Sequence, residues 1–188
     1  MKKIILIVLV SFLISCDSTV EWKKIEVNNF AIELPSYLSI SKQLNDDASL
    51  QYQNIFKELY IIVIDENKSE MGSSLEDNGL DELYSNDFEG YTSLLSNNLA
   101  NNVAMKNKTE KDTLINSLQA KILKFEGKVE DIDVFYEVVY INGIDDYYQV
   151  MSWTLLEKKS EFEPIMDKMI QSFRIKKKVN KSYKGTKK

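Results

Sequence analysis

Two long apolar runs meeting at one turn signal constrain the fold of this chain more than any other feature. Val134-Phe135-Tyr136-Glu137-Val138-Val139-Tyr140-Ile141 is rich in β-branched and aromatic residues, and Tyr147 to Leu156 alternates Tyr148, Val150 and Ser152 against Tyr147, Gln149, Met151 and Trp153. Between them stands Asn142-Gly143, two residues that tolerate positive φ and favour a tight hairpin. The pair therefore reads as antiparallel strands. Upstream, Ser117 to Glu126 reads as a third strand with Leu123 and Phe125 on one face, and Gly127 to Asp131 supplies the turn that makes a meander.

Earlier segments add to the sheet. Trp22 begins the domain, and Phe30-Ala31-Ile32-Glu33-Leu34-Pro35 alternates with Phe30, Ile32 and Leu34 on one face before Pro35 ends it. Tyr37 to Ile40 is ambiguous, whereas Ser49 to Gln53 reads as a strand with Leu50 and Tyr52 facing in. Leu59-Tyr60-Ile61-Ile62-Val63-Ile64 is continuously apolar and reads as a central strand covered on both faces. Glu66 to Gly79, rich in Ser, Asn, Gly and acids, reads as a long loop, and Lys106 to Asp112 as a polar turn.

The period then changes twice. Leu80, Tyr84, Phe88, Tyr91, Leu95 and Leu99 recur at helical spacing, with Gly90 as a weak point costing about 1 kcal/mol. Near the C-terminus Phe162, Ile165, Met166, Met169 and Ile170 form a second stripe. Ser160 and Glu163 are spaced as a capping box there, Pro164 is expected in the first turn, and Ser172-Phe173-Arg174-Ile175 closes the domain. The sum is an α+β domain over 22–175, an antiparallel sheet covered by two main helices.

The N-terminus carries an address. Met1-Lys2-Lys3 precedes an apolar run from Ile4 to Ser15, the pattern of a signal peptide over 1–15. As a helix that run would reach about 18 Å, short of a hydrocarbon core of about 30 Å. Leu13-Ile14-Ser15-Cys16 resembles the bacterial lipobox. The resemblance implies a diacylglyceryl thioether on the Cys16 thiol, cleavage after Ser15 and further acylation of the freed amine. Residues 16–21 then tether the domain to a membrane by two or three acyl chains, a durable anchor. The expected place is the cell envelope of a bacterium, periplasmic or surface-exposed.

Charge and missing residue types narrow the function. Residues 16 to 175 hold 15 basic and 29 acidic side chains, a net of −14, which disfavours nucleic acid as a partner. Residues 176–188 carry seven lysines and no acid, and we read them as a disordered basic tail. Cys16 is the only cysteine, so the domain has neither a disulfide nor a thiol nucleophile. Histidine is absent, which removes Ser-His-Asp and Cys-His catalysis and most zinc sites. Only six glycines occur, with no phosphate-loop or dinucleotide fingerprint. The acidic groups Asp65-Glu66, Glu130-Asp131-Asp133 and Asp145-Asp146 lack calcium-loop spacing and read as solvated turns. No catalytic residue, metal ligand or cofactor site is assigned.

The order of elements, with Phe30 to Pro35 near the start, the Asn142-Gly143 hairpin and the Pro164 to Ile175 segment ending in Ser172-Phe173, resembles the PsbP-like fold of photosystem extrinsic subunits, Ran-binding Mog proteins and many bacterial lipoproteins. The resemblance implies helices around an antiparallel sheet, and a binding or assembly module rather than an enzyme. No binding residue transfers from it. Tyr136, Tyr140, Tyr147, Tyr148 and Trp153 read chiefly as core, with a ring-lined patch for a hydrophobic ligand or partner as the alternative. The expectation is thus a lipid-anchored, non-enzymatic module. Its partners are the membrane, through the anchor, and an envelope protein. The alternative is a small-ligand binder with a cavity between sheet and helix.

Overall fold

The structure, a computed structural model, describes residues 20–176. The leader 1–15, Cys16 with most of its tether, and the tail beyond Lys176 lie outside the described residues. The described elements are β1 (Trp22–Val27), β2 (Phe30–Pro35), β3 (Ser39–Ile40), β4 (Leu50–Asn54), β5 (Leu59–Asn67), α1 (Lys68–Asp77) and α2 (Phe88–Asn102). They continue with β6 (Lys106–Ile115), β7 (Leu118–Val129), β8 (Ile132–Asn142), β9 (Asp146–Leu155), α3 (Lys159–Gln171) and β10 (Arg174–Ile175). Seven strands form an antiparallel sheet ordered β3-β4-β5-β9-β8-β7-β6, and β1, β2 and β10 form a second sheet. The α+β class with a large antiparallel sheet is what the sequence leads one to expect.

The alternation within each strand sends two different sets of side chains to the two faces of the large sheet. On the inner face, Ile61 and Val63 of β5, Val150 of β9 and Val139 of β8 pack against Phe30, Ile32 and Leu34 of β2 and Phe162, Met166, Met169 and Ile170 of α3. On the outer face, Leu123, Phe125, Val138, Tyr140 and Tyr147 lie under Phe88 and Tyr91 of α2. Each such large side chain contributes about 1.5–3 kcal/mol on full burial. The apolar stripe expected at 162–170 is therefore the packing face of α3. The strand Phe30–Pro35 forms as expected, but it joins the small sheet, paired with Trp22–Val27 and Arg174–Ile175.

Several local expectations are corrected. Residues 66–79 are not a loop: β5 runs on to Asn67, whose side chain then caps α1 by accepting from the backbone N–H of Ser69 and Glu70. Only Met71 and Leu75, one turn apart, give this helix an apolar face, too little to outweigh the polar composition. It ends where Gly79 takes φ 63°, with Gly79 N–H bonding Glu76 O and Leu80 N–H bonding Leu75 O. The next helix starts at Phe88 rather than Leu80, because the Asp87 carboxylate caps it through Gly90 N–H at 2.9 Å. Gly90 is no weak point. A Cβ there would sit 1.8 Å from Ser85 O, so the glycine lets the preceding turn fold against the helix.

Lys106 to Asp112 is strand, not turn: it is most of β6, an edge strand whose exposed charges guard an unpaired edge. The hairpin at 142 forms, but not as an Asn-Gly turn with positive φ. Asn142 pairs Tyr147, residues 143–145 make the loop, and neither Asn142 nor Gly143 has positive φ. Gly143 serves close approach instead, since a Cβ would meet Asp146 O at 2.5 Å and Tyr148 Cε2 at 2.6 Å. The capping box at Ser160 does not form either. A 3-10 turn (Leu156–Lys158) leads straight into α3, which begins at Lys159 without a side-chain cap and holds Pro164 inside it.

Candidate functional site

The outer face of the large sheet is only partly covered. The register sets Tyr60 of β5 opposite Trp153 of β9, Trp153 opposite Tyr136 of β8, and Tyr136 opposite Phe125 of β7. Four aromatic rings thus stand in one row across four neighbouring strands. Tyr60 and Trp153 are 5.2 Å apart at 6°, Trp153 and Tyr136 6.4 Å at 30°, and Tyr136 and Phe125 5.0 Å at 14°. Parallel rings that lay side by side in one plane could not approach so closely as the first and last pairs. Their faces are turned to each other, and the row presents ring edges outward.

Phe125, at one end of the row, is buried beneath α2, and the other three rings line an open groove of about 640 Å³. Ile62 and Ile64 of β5, Met151 of β9, and Ile132 and Val134 of β8 extend its apolar lining. Sequence reading expected the β5 run to be covered on both faces. In fact Leu59, Ile61 and Val63 enter the core while Tyr60, Ile62 and Ile64 line the groove. No residue of α2 lines it, so the opening lies beside the helix rather than between helix and sheet. Its size falls in the range of small-molecule sites.

Polar groups sit at its margins. The Tyr60 hydroxyl donates to Glu58 Oε2 at 2.7 Å, and burial together with that carboxylate pushes the phenol up to about 12. Asn45 and Gln149 complete the rim, and among the described residues no lysine or arginine lines the opening. Such a surface offers hydrocarbon contact and a few hydrogen bonds, and its described lining holds no cation for an anionic head group.

The five aromatics singled out in the sequence divide between two roles. Tyr140, Tyr147 and Tyr148 are core, with Tyr91 stacked on Tyr147 at 4.4 Å and donating its hydroxyl to Glu66 at 2.6 Å. Tyr136 and Trp153 belong to the groove. Sequence reading placed both on strands expected to pair, but Tyr60 joins them only through the β5–β9 pairing, which no local pattern encodes.

A second chemical feature lies on the inner face. Glu137 of β8 is fully buried, and neither carboxylate oxygen has a hydrogen-bond partner. Lys124 of β7 stands 3.6 Å from it but bonds Asp167 at 2.6 Å and Glu163 at 3.0 Å on α3. Burial outweighs the lysine and raises the Glu137 carboxyl to about 8. With no exposed surface beneath α3, this carboxyl bears on the stability of the domain.

The acidic turns do not converge. Asp133 pairs Lys128 at 3.8 Å, Asp146 accepts from Asn29 and Asn67 at 3.3 Å, and Glu66 takes the Tyr91 hydroxyl. Among the described residues no group of three acidic, histidine or cysteine side chains is placed to hold a metal ion. Nor is any helix among them long and apolar enough to cross a membrane. Cys16 lies outside the described residues.

No family model and no curated protein matches the chain. Among solved structures, it is similar to cyanobacterial PsbP (CyanoP) from Synechocystis sp. PCC 6803, with a TM-score of 0.51 and 10% identity over 87% of this chain and 99% of that one. It is also similar to the Ran-binding protein Mog1p of Saccharomyces cerevisiae, at a TM-score of 0.49 and 10% identity over 84% and 96%. LpqN, involved in cell envelope biogenesis of Mycobacterium tuberculosis, gives 0.44 and 6% over 84% and 91%. The chain thus has a PsbP-like fold, and at these identities the likeness speaks of fold alone.

Proposed function

We propose that this chain is a lipid-anchored envelope protein whose domain is a non-enzymatic binding module, with the sheet groove as its binding site. The anchor rests on the leader and Cys16 in the sequence. The binding role rests on one observation above all: three of the four aligned rings, with Ile64 and Met151, are left in an open groove although α2 covers the neighbouring part of the same face. Large open apolar surfaces mark interaction sites in proteins that fold stably. Because the ring faces are occupied by one another, flat ligands have little to stack on. An aliphatic chain with an uncharged head fits the edges and the rim.

Trp153 reports on this site. With Trp22→Phe removing the other indole, titration with dodecyl maltoside below its micelle concentration should shift Trp153 emission saturably. Dodecanoate, with the same chain and an anionic head, should bind at least about tenfold more weakly, for want of a cationic partner. Ile132→Asp, at the exposed margin, should abolish the shift without unfolding the domain. A titration without saturation, or one insensitive to Ile132→Asp, refutes the assignment.

A further inference from the structure

The described chain begins at one end of the large sheet, and its contacts show which end. Ser36 N–H bonds Glu21 O, the Asn54 side chain bonds Tyr37 O, and the Lys57 ammonium lies over the Tyr37 ring. Lys158, in the 3-10 turn after β9, reaches Lys57 O. Glu21 therefore sits at the end formed by the β4–β5 turn and the close of β9. The register brings the β7–β8 turn to the same end, because Leu59 pairs Thr154 and Leu155 pairs Val134. The C-terminal side leaves from the opposite end, where Lys176 N–H bonds Asn29 O.

This same end carries a cluster of apolar side chains left in solvent. Phe56 is 89% exposed and Ile55 55% at the β4–β5 turn, with Ile132 at 53% and Val129 at 48% beside the β7–β8 turn. The groove also opens here, since Glu58, Ile132 and Leu155 line both it and an adjoining depression with Leu156 and Glu157. Five residues of chain separate Trp22 from Cys16, a reach of at most about 20 Å between the two.

We propose that this end of the domain rests on the bilayer, with Phe56 and Ile55 entering the interface and the groove mouth facing lipid. The proposal rests on the reading of Cys16 as the lipid-bearing residue, which fixes a membrane within reach of Glu21 and no other part of the domain so closely. The occupant is a zwitterionic lipid surface rather than an anionic one. Glu58, Glu130, Asp131, Asp133 and Glu157 outnumber Lys57, Lys128 and Lys158 around the apolar tips. Contact with the bilayer would bring an acyl chain to the groove without a passage through water.

The test uses the full lipidated chain reconstituted in phosphatidylcholine vesicles with brominated acyl chains, Trp22→Phe and Trp153→Phe having silenced the native indoles. Phe56→Trp reports on the tip, and Ile144→Trp, exposed in the loop at the far end, is the control. The expected result is blue-shifted emission from the tip reporter and quenching at least about twofold stronger than for the control, as for a side chain in the interface. An unquenched tip reporter on chains that float with the vesicles overturns the orientation, as does equal quenching of both. Chains that fail to float overturn the lipid anchor itself, and the orientation with it.

Discussion

Glu137→Gln should change how the stability of this domain depends on pH. In the unfolded chain this carboxyl ionises near 4.5, whereas in the folded chain burial holds it up to about 8 against the opposing pull of Lys124. Between those values the folded chain keeps a proton that the unfolded chain has released. The contribution of this group to stability is therefore fully present below pH 4.5, declines as pH rises, and is lost by the time pH passes 8. The rise in pKa corresponds to about 5 kcal/mol at most, and relaxation around a buried charge should leave about 3–4 kcal/mol. Glutamine cannot ionise, so the variant lacks this slope.

The assay is urea unfolding followed by tryptophan fluorescence from pH 5 to pH 9, on parent and variant chains starting at Asp17. The slopes from every other titrating group cancel in the difference between the two. At pH 5 the parent should equal or exceed the variant. At pH 9 the variant should be the more stable by about 3 kcal/mol, because the parent must then bury an anion whose oxygens have no hydrogen-bond donor. A difference that stays constant across the range would refute the reasoning. It would mean that Glu137 remains ionised and that Lys124, at 3.6 Å, fully compensates it.

Two further predictions concern local structure. Gly90→Ala should destabilise the domain by about 2 kcal/mol or more through collision with Ser85 O, whereas a mere weak point in a helix would gain about 1 kcal/mol from alanine; thermal unfolding gives the sign. Asn67→Ala should cost about 1 kcal/mol by removing the cap of α1, and hydrogen exchange should show protection lost over 68–77 with the sheet unchanged.

The strands of the meander were legible because their apolar alternation is local and strong. Leu123 and Phe125 face α2, and Val150 faces α3, as the period of two requires. The helices were less so at their starts. Leu80 and Tyr84 continue the spacing of Phe88 and Tyr91 by coincidence, and the cap at Asp87 overrides it. At Ser160 the capping pattern is present, yet β9 runs into α3 through a 3-10 turn that leaves the serine inside the helix. α1 and β6 escaped notice because each is mostly polar, one docked by Leu75 and the other guarding an edge.

The groove was half visible. Tyr136 and Trp153 stood out as aromatics on strands expected to pair, but whether they were core or surface depends on where α2 stops. That boundary follows from long-range packing. Tyr60 was hidden within an apolar run that reads as wholly buried, although Tyr60 and Ile64 are only half-buried. Glu137 gave no signal at all, since a glutamate in a strand reads as solvent-facing until α3 is laid over it.

The most direct test of the central claim is methyl NMR on isoleucine-labelled protein titrated with dodecyl maltoside. Shifts are expected at Ile62, Ile64 and Ile132, which line the groove, and none at Ile61 or Ile141, which face the core on the other side of the sheet. Shifts spread over both sets, or absent from the first three, would contradict it.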